Sequence, residues 1–494
     1  MKSWRDPVAA DVERLPPSLV SAAGLRNHHI ANTAYPLAHD LTWGPYRLKR
    51  DRVAEIATRA WSDIRDMCLY VHVPFCETRC SFCEYTVVKR EDAAYANVTA
   101  YFDAMLGELR LWQTALGTEQ RSLHGLDIGG GTPSFAPSRE IARVLDEVRA
   151  HWSFARGSDI SIETTPLIAA NEPAKLRDYR AMGIDRVSMG VQVVQPDLLR
   201  VLARSGNSAE HHFRAVENVR TAGFDRFNVD LMYGFYGQSL ASWEATLAHA
   251  IALDPEYVTL YRMRYKLTRI SHHASHVSLE AVQPLMKLAK EMLAAAGFAA
   301  PPGKTTFSRV RGDVGTSSYL ARRVIEGMPY LGVGLGAQSF THTTISYNDG
   351  AVGKNVSPYL RSVEAGRFPV QDFYDLPMTH MMAKTCAVAF YFGAIDRAAF
   401  LAKFGVALES VYAAELDYLT QKGWMTLDAD ALTLTPEGAL VTAGIIPLFY
   451  APSAQRYIVD RDTNQADDMT ANRRLAFKVV GDVSEPGPGP EPLA

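Results

Sequence analysis

Five cysteines in 494 residues are too few for a disulfide framework, which belongs to short, cysteine-rich chains in oxidising compartments. No apolar run reaches the roughly 18 residues that a membrane helix requires, and no signal-like apolar stretch opens the chain. Charge of neither sign dominates, because 51 basic and 54 acidic residues leave a formal charge of -3. Such a balance gives no electrostatic footprint for nucleic acid. What remains is a large chain, 47% apolar, able to bury a sizeable core and long for one compact unit. It is expected in the cytoplasm, where thiols stay reduced, with neither nucleic acid nor a membrane as partner.

Three of the five cysteines fall within eight residues, in Tyr70-Val-His-Val-Pro-Phe-Cys76-Glu-Thr-Arg-Cys80-Ser-Phe-Cys83. Three thiolates at this C-x3-C-x2-C spacing can hold three irons of a [4Fe-4S] cube and leave the fourth open to a chelating small molecule. Tetrahedral zinc is the competing reading, but the only nearby fourth ligand is His72, on the strand upstream. Cys68 and Cys386 stand alone in apolar surroundings and read as small buried hydrophobes.

Strand-like runs at Met67 to Val73, Gly125 to Gly129, Asp159 to Thr164, Arg186 to Val191, Arg226 to Met232 and Tyr257 to Met263 alternate with longer helical patterns. That alternation predicts βαβ units and a parallel sheet. In parallel α/β barrels, sites gather where strands end at their C-termini. The cysteine loop follows the first predicted strand, the run Gly129-Gly130-Gly131 the second, Glu163 the third, Gln192 the fourth and Asp230 the fifth. Glycines there let backbone approach a ligand and let amide groups meet charge. Strand-end carboxylates such as Glu163 and Asp230 can instead cap the following helix, and Arg204 can be a surface pair.

The cysteine segment, Ile128-Gly-Gly-Gly-Thr-Pro-Ser134, Ser188-Met-Gly-Val-Gln192 and Asn228-Val-Asp-Leu-Met-Tyr-Gly234 together resemble the radical S-adenosylmethionine superfamily. The resemblance narrows to the branch of the oxygen-independent coproporphyrinogen III oxidase, from about Tyr70 to Tyr261. It implies an α/β fold, a partial (β/α)6 barrel of parallel strands followed by a C-terminal helical, winged-helix-like domain. It also implies a [4Fe-4S] cluster on Cys76, Cys80 and Cys83, and two S-adenosylmethionines. Gly130, Gly131 and Thr132 would line the methionine end of the first, with Tyr70 packed near it and Phe82 facing the adenine. Glu163, Gln192, Arg204 and Asp230 would hold the nucleosides. A flavodoxin or ferredoxin is the implied electron donor.

Departures from the branch carry the functional expectation. The oxidase follows its third cluster cysteine with glycine and another cysteine, whereas here Glu84 and Tyr85 follow. The heme-chaperone relatives carry a histidine-asparagine-aromatic signature where this chain has Gly315-Thr-Ser-Ser-Tyr-Leu-Ala-Arg-Arg323, without histidine. Tyr330-Leu-Gly-Val-Gly-Leu-Gly-Ala-Gln-Ser339 ends in Gln338 where the oxidase has an apolar residue, so Gln338 and Tyr70 are the expected catalytic residues. These departures resemble the class C methyltransferases. The implied reaction transfers a methyl-derived carbon to an sp2 carbon of an aromatic or conjugated substrate. Porphyrinogen decarboxylation, with Arg262, Arg264 and Lys266 on propionates, and heme binding through an axial ligand are the alternatives.

Residues 1–60 read as an N-terminal extension, 61–310 as the barrel, 311–375 as a connection, 376–460 as a helical lid and 461–494 as a tail, partly disordered. Asn32-Thr-Ala-Tyr-Pro36 resembles the oxidase segment that reaches its active site. His272-His273-Ala-Ser-His276 reads as a polar loop. From about Thr379 to Phe449 the pattern predicts three helices, a short strand pair near Trp424 to Leu434 and a final helix from Pro436. The helix from Ser410 to Leu419, with Glu409, Glu415 and Asp417 on or beside it, would repel phosphate.

Overall fold

The computed structural model describes residues 14–31, 33, 35, 42–89, 98–117, 120–204, 206–265, 268–313 and 315–461. Lys266, Asn32, Pro36 and the expected tail beyond 461 lie outside the described residues. Helix α1 (Pro17–Arg26) precedes strand β1 (Asp66–Val73), and six parallel strands then alternate with helices. After β1 come α2 (Val98–Leu116), β2 (Ser122–Gly130), α3 (Ser138–His151), β3 (Ile160–Thr164), α4 (Pro173–Ala181) and β4 (Arg186–Gln192). Then follow α5 (Ala209–Thr221), β5 (Phe227–Tyr233), α6 (Leu240–Ala252), β6 (Tyr257–Arg262) and α7 (Leu279–Ala295). The expected α/β architecture and its six parallel strands are present.

Residues 311–375 do more than connect. After the short β7 (Thr306–Ser308) and α8 (Ser318–Ile325), β8 (Tyr330–Val333), β9 (Gln338–Phe340), β10 (Thr344–Asn348) and β11 (Val370–Asp375) extend the same sheet. Its order is β7-β6-β5-β4-β3-β2-β1-β8-β9-β10-β11. β8 runs parallel to β1, and β9 to β11 are antiparallel. Short apolar runs broken by glycine leave this region without a pattern to read.

Period-two alternation sets what the barrel interior sees. In β5, Phe227, Val229 and Leu231 are buried while Asp230 and Met232 line the interior cavity. In β4, Val187, Met189 and Val191 are buried while Ser188, Gly190 and Gln192 line that cavity.

The C-terminal segment, α9 (Met378–Ala389) through α10 (Leu408–Gln421), carries a small sheet of Ala394–Asp396, Ala431–Leu434 and Met425–Leu427. The first of these strands was not expected. The single helix expected from Pro436 is broken into Gly438–Leu440, Thr442–Ile445 and Ile446–Phe449, with Pro447 in the last turn. A Cβ on Gly438 would lie 1.9 Å from the Trp424 carbonyl oxygen, so the chain there presses against its neighbour. Glu415 is not an exposed repulsive charge. It is buried, and Arg14 donates to it at 2.5 Å. Val20 and Ala23 of α1 belong to the same apolar core as Cys386, Leu416 and Phe449, so the N-terminal segment is part of the C-terminal unit's interior.

Candidate active site

The loop after β1 folds back on itself, its Phe75–Cys76 pairing with Val88–Lys89. Three further bonds fix it. Ser81 N–H donates to the Leu202 carbonyl at 3.1 Å, Arg269 N–H to the Ser81 carbonyl at 3.0 Å, and Cys83 N–H to the Cys80 carbonyl at 3.1 Å. Cys76 Sγ lies 3.6 Å from Thr132 Oγ1, and Arg204 Nη1 donates to Cys80 Sγ at 3.3 Å. Burial pushes the Cys76 thiol up to about 12 and raises Cys83 as well. Thiols so placed become ligands when a metal displaces the proton.

Among the described residues, no three His, Cys, Asp or Glu side chains are gathered as for a single ion. A cube differs from an ion in this respect, because each thiolate meets its own iron and the sulfurs need not converge on one point. The donor set of three thiols on one loop fits the cube and disfavours the zinc reading.

Behind the loop, the glycine run does something other than expected. Gly130 N–H donates to Glu163, Gly131 N–H to the Val73 carbonyl at 2.9 Å and Thr132 N–H to the Phe75 carbonyl at 2.8 Å. These amides are therefore not free to meet a ligand's charge. What glycine supplies is closeness: a Cβ on Gly131 would lie 2.6 Å from the Pro74 carbonyl carbon and oxygen. Gly130, at φ +121°, has a conformation that side chains rarely adopt.

These elements enclose a cavity of about 860 Å³. Tyr70, Cys76, Cys80, Phe82, Cys83, Gly130, Gly131, Thr132, Glu163, Gln192, Arg204 and Asp230 all line it, so the structure brings twelve of the thirteen expected site residues together. Gln338 is the exception. Its strand turns back antiparallel beside β8, where Gln338 accepts from the Tyr330 hydroxyl and donates to Tyr347 Oη at 2.7 Å. It does not line the cavity, and its expected catalytic role is not supported.

Glu163 opens onto the cavity yet is surrounded by protein. Burial, then the nearby Asp230 and Asp127 carboxylates, raise it to about 8, against the pull of the Gly130 amide. Asp230 is raised to about 6 by burial, opposed by hydrogen bonds from Ser188 Oγ at 2.8 Å and Asn228 Nδ2 at 2.7 Å. Neither caps a helix, because Thr165 and Ser239 hold the cap bonds of the helices that follow β3 and β5. Three polar atoms of cavity-lining residues, Arg79 Nε, Gln192 Oε1 and Arg204 Nε, are buried with no hydrogen-bond partner among the described residues. Gln192 also sits at φ +69°. An orphaned amide oxygen on strained backbone marks a place where a ligand completes the bonding.

The far side of the cavity is less legible from sequence. Leu279, Val282, Gln283, Met286 and Lys290, one stripe of α7, line it, at the i, i+3, i+4, i+7 spacing of a helix face. Phe390, Tyr391, Leu440 and Thr442 of the C-terminal segment also line it, with Gln283 Nε2 donating to the Leu440 carbonyl at 3.2 Å. Thr33 lines the cavity too, so the N-terminal segment reaches it. Arg262 donates to the His28 carbonyl at 2.6 Å, and Arg264 pairs with Glu84. The histidines of 271–276 form a 3-10 turn outside the cavity lining.

Two family models match the chain: the radical SAM superfamily over residues 70–250 and the HemN C-terminal domain over residues 392–441. Together these two matches support a coproporphyrinogen oxidase-like radical SAM protein.

The chain is 31% identical over 197 residues to the heme chaperone HemW of Haemophilus influenzae, covering 40% of this chain and 50% of that protein. The chain thus spans half the length of that relative. Identity to the oxygen-independent coproporphyrinogen III oxidase of Pseudomonas aeruginosa is 25% over 418 residues, 78% of this chain and 86% of that protein. The solved coproporphyrinogen III oxidase HemN of Escherichia coli shares the fold, with TM-score 0.69 at 22% identity over 83% of this chain and 96% of that one. The radical SAM family implies a [4Fe-4S] cluster and S-adenosylmethionine, and the cavity wall fits both. No described helix is long and apolar enough to cross a membrane.

Proposed function

We propose that this radical SAM enzyme uses the cavity for reductive cleavage of S-adenosylmethionine and directs the outcome onto a small conjugated substrate held against α7 and the C-terminal lid. The observation that supports it is the convergence, in one cavity, of three cysteines from one loop with the unpartnered Gln192 Oε1 and Arg204 Nε. A [4Fe-4S] cluster on Cys76, Cys80 and Cys83, once reduced by a flavodoxin- or ferredoxin-type donor, supplies one-electron cleavage to methionine and a 5'-deoxyadenosyl radical that abstracts hydrogen.

The chain's own residues do the rest. Gly131 lets the second strand approach the cluster loop, Thr132 faces Cys76, and Arg204 sets charge on Cys80. Glu163 and Asp230 offer carboxyl groups to ribose hydroxyls and amino groups, and the enclosing lid keeps water from the reacting carbon. The volume of about 860 Å³ leaves room for a second S-adenosylmethionine beside the first.

Transfer of a methyl-derived carbon to an sp2 carbon is a second reading, resting on that room and on Glu84 and Tyr85 after the cluster cysteines. The relatives do not support it, for their names are heme chaperone and coproporphyrinogen III oxidase. A cytoplasmic setting agrees with the free thiols.

The test is anaerobic reconstitution with iron and sulfide, reduction, and mass spectrometry of nucleosides. 5'-Deoxyadenosine is the expected product. Its joint rise with S-adenosylhomocysteine would favour methyl transfer, and carbon dioxide from coproporphyrinogen would favour decarboxylation. Heme retention with neither nucleoside would sink the enzymatic reading.

A further inference from the structure

Three tyrosines from three separate elements open into the cavity: Tyr85 from the cluster loop, Tyr261 from β6 and Tyr391 from the turn after α9. Tyr85 is 58% exposed and Tyr261 43% exposed, and both line the cavity, so the surface they expose is cavity wall. Among the described residues, no hydrogen bond reaches any of the three hydroxyls. Arg264 lies within electrostatic reach of all three while paired with Glu84. Lys290, on the α7 wall of the same cavity, has no ion-pair partner among the described residues.

We propose that Tyr85, Tyr261 and Tyr391 form the specificity-determining ring of the substrate subsite, selecting a flat, fully conjugated ring system that carries acidic oxygens. This rests on the functional reading above and narrows its substrate class. An extended planar π face offers aromatic side chains more stacking area than separate small rings do. Phenol hydroxyls donate to oxygen acceptors, and Lys290 meets an acid group at the rim. A reduced macrocycle, puckered at its tetrahedral bridging carbons, offers no continuous face to such a ring.

The test uses the reconstituted holoenzyme with S-adenosylmethionine and no reductant. Coproporphyrin III, flat and bearing four acids, is titrated by its fluorescence; coproporphyrinogen III, with the same acids on a puckered ring, is read by competition. The flat ring should bind about ten-fold tighter. Tyr261→Phe and Tyr391→Phe should each weaken it about five-fold, and the paired leucine variant should erase the preference. Equal or tighter binding of the porphyrinogen overturns the proposal, as does an unchanged preference in the leucine pair at parental cluster absorbance. Should the leucine pair fail to fold, the phenylalanine variants decide, and unweakened binding in both overturns the proposal. Because binding is read without electrons, a failure to cleave S-adenosylmethionine is a separate result that bears only on the proposed reaction.

Discussion

Arg204 joins the fourth strand to the cluster loop: Nη1 donates to Cys80 Sγ at 3.3 Å while Nη2 donates to the Gly190 carbonyl at 2.5 Å. Hydrogen bonds to ligand sulfur tune a cluster's potential, and a cation there stabilises the reduced form. Arg204→Met should shift the cluster midpoint to more negative values and lower 5'-deoxyadenosine formation about 10- to 100-fold. Redox titration followed by electron paramagnetic resonance reads the shift. A variant with full cluster content and an unmoved potential would show that Arg204 only packs.

Cys80→Ala should remove the brown absorbance and all 5'-deoxyadenosine, because two thiolates do not hold the cube. Cys386→Ala is the control. That thiol lies buried in the C-terminal core, so its loss should cost about 1 kcal/mol of stability and leave iron content intact. Iron and sulfide analysis distinguishes the two. Full iron in the Cys80 variant would be incompatible with the ligand assignment.

Gly131→Ala should disturb the loop itself. The added methyl would meet backbone of Pro74 and Phe75 within 3 Å, and backbone does not yield as a side-chain tip does. A loss of about 1–3 kcal/mol, read from the urea midpoint, should accompany poor cluster loading. Wild-type stability would mean that the loop is looser than its bonds imply.

Glu163 links stability to pH. Its native pKa of about 8 stands above the ordinary value of 4.5, so the native state holds this proton longer than the unfolded chain does. Its contribution is therefore present below about 4.5 and is lost as pH rises through about 8. Thermal midpoints of the apoprotein should fall across that window, and Glu163→Gln should flatten this part of the profile. An equally steep profile in the variant would assign the slope to other groups.

Much of the site is legible in the order of the residues. Cys76, Cys80 and Cys83 declare themselves through local spacing, Glu163 and Gln192 through their place at strand ends, and Asp230, in the middle of β5, through the alternation that turns it to the cavity. Gln338 misleads because its motif reads as a linear extension of the site. The antiparallel return of β9 carries it to Tyr330 and Tyr347 instead. Tyr85 is visible as a departure, but Tyr261, Tyr391 and Lys290 carry no local signal, being ordinary residues of a strand, a turn and a helix.

The glycine run shows a subtler limit. Its need for small residues is legible, but which atoms fill the space is not, and the amides turn out to hold the cluster loop and Glu163.

Short-range chemistry is written into the chain: which thiols share a loop, which faces of strands are polar, where helices begin. Those features depend on neighbours a few positions apart. The cavity's far wall and the C-terminal unit behind it depend on contacts between segments more than a hundred residues apart, such as Gln283 with Leu440 and Arg14 with Glu415. Such pairings follow from how apolar faces are buried together in three dimensions, and no local pattern carries them.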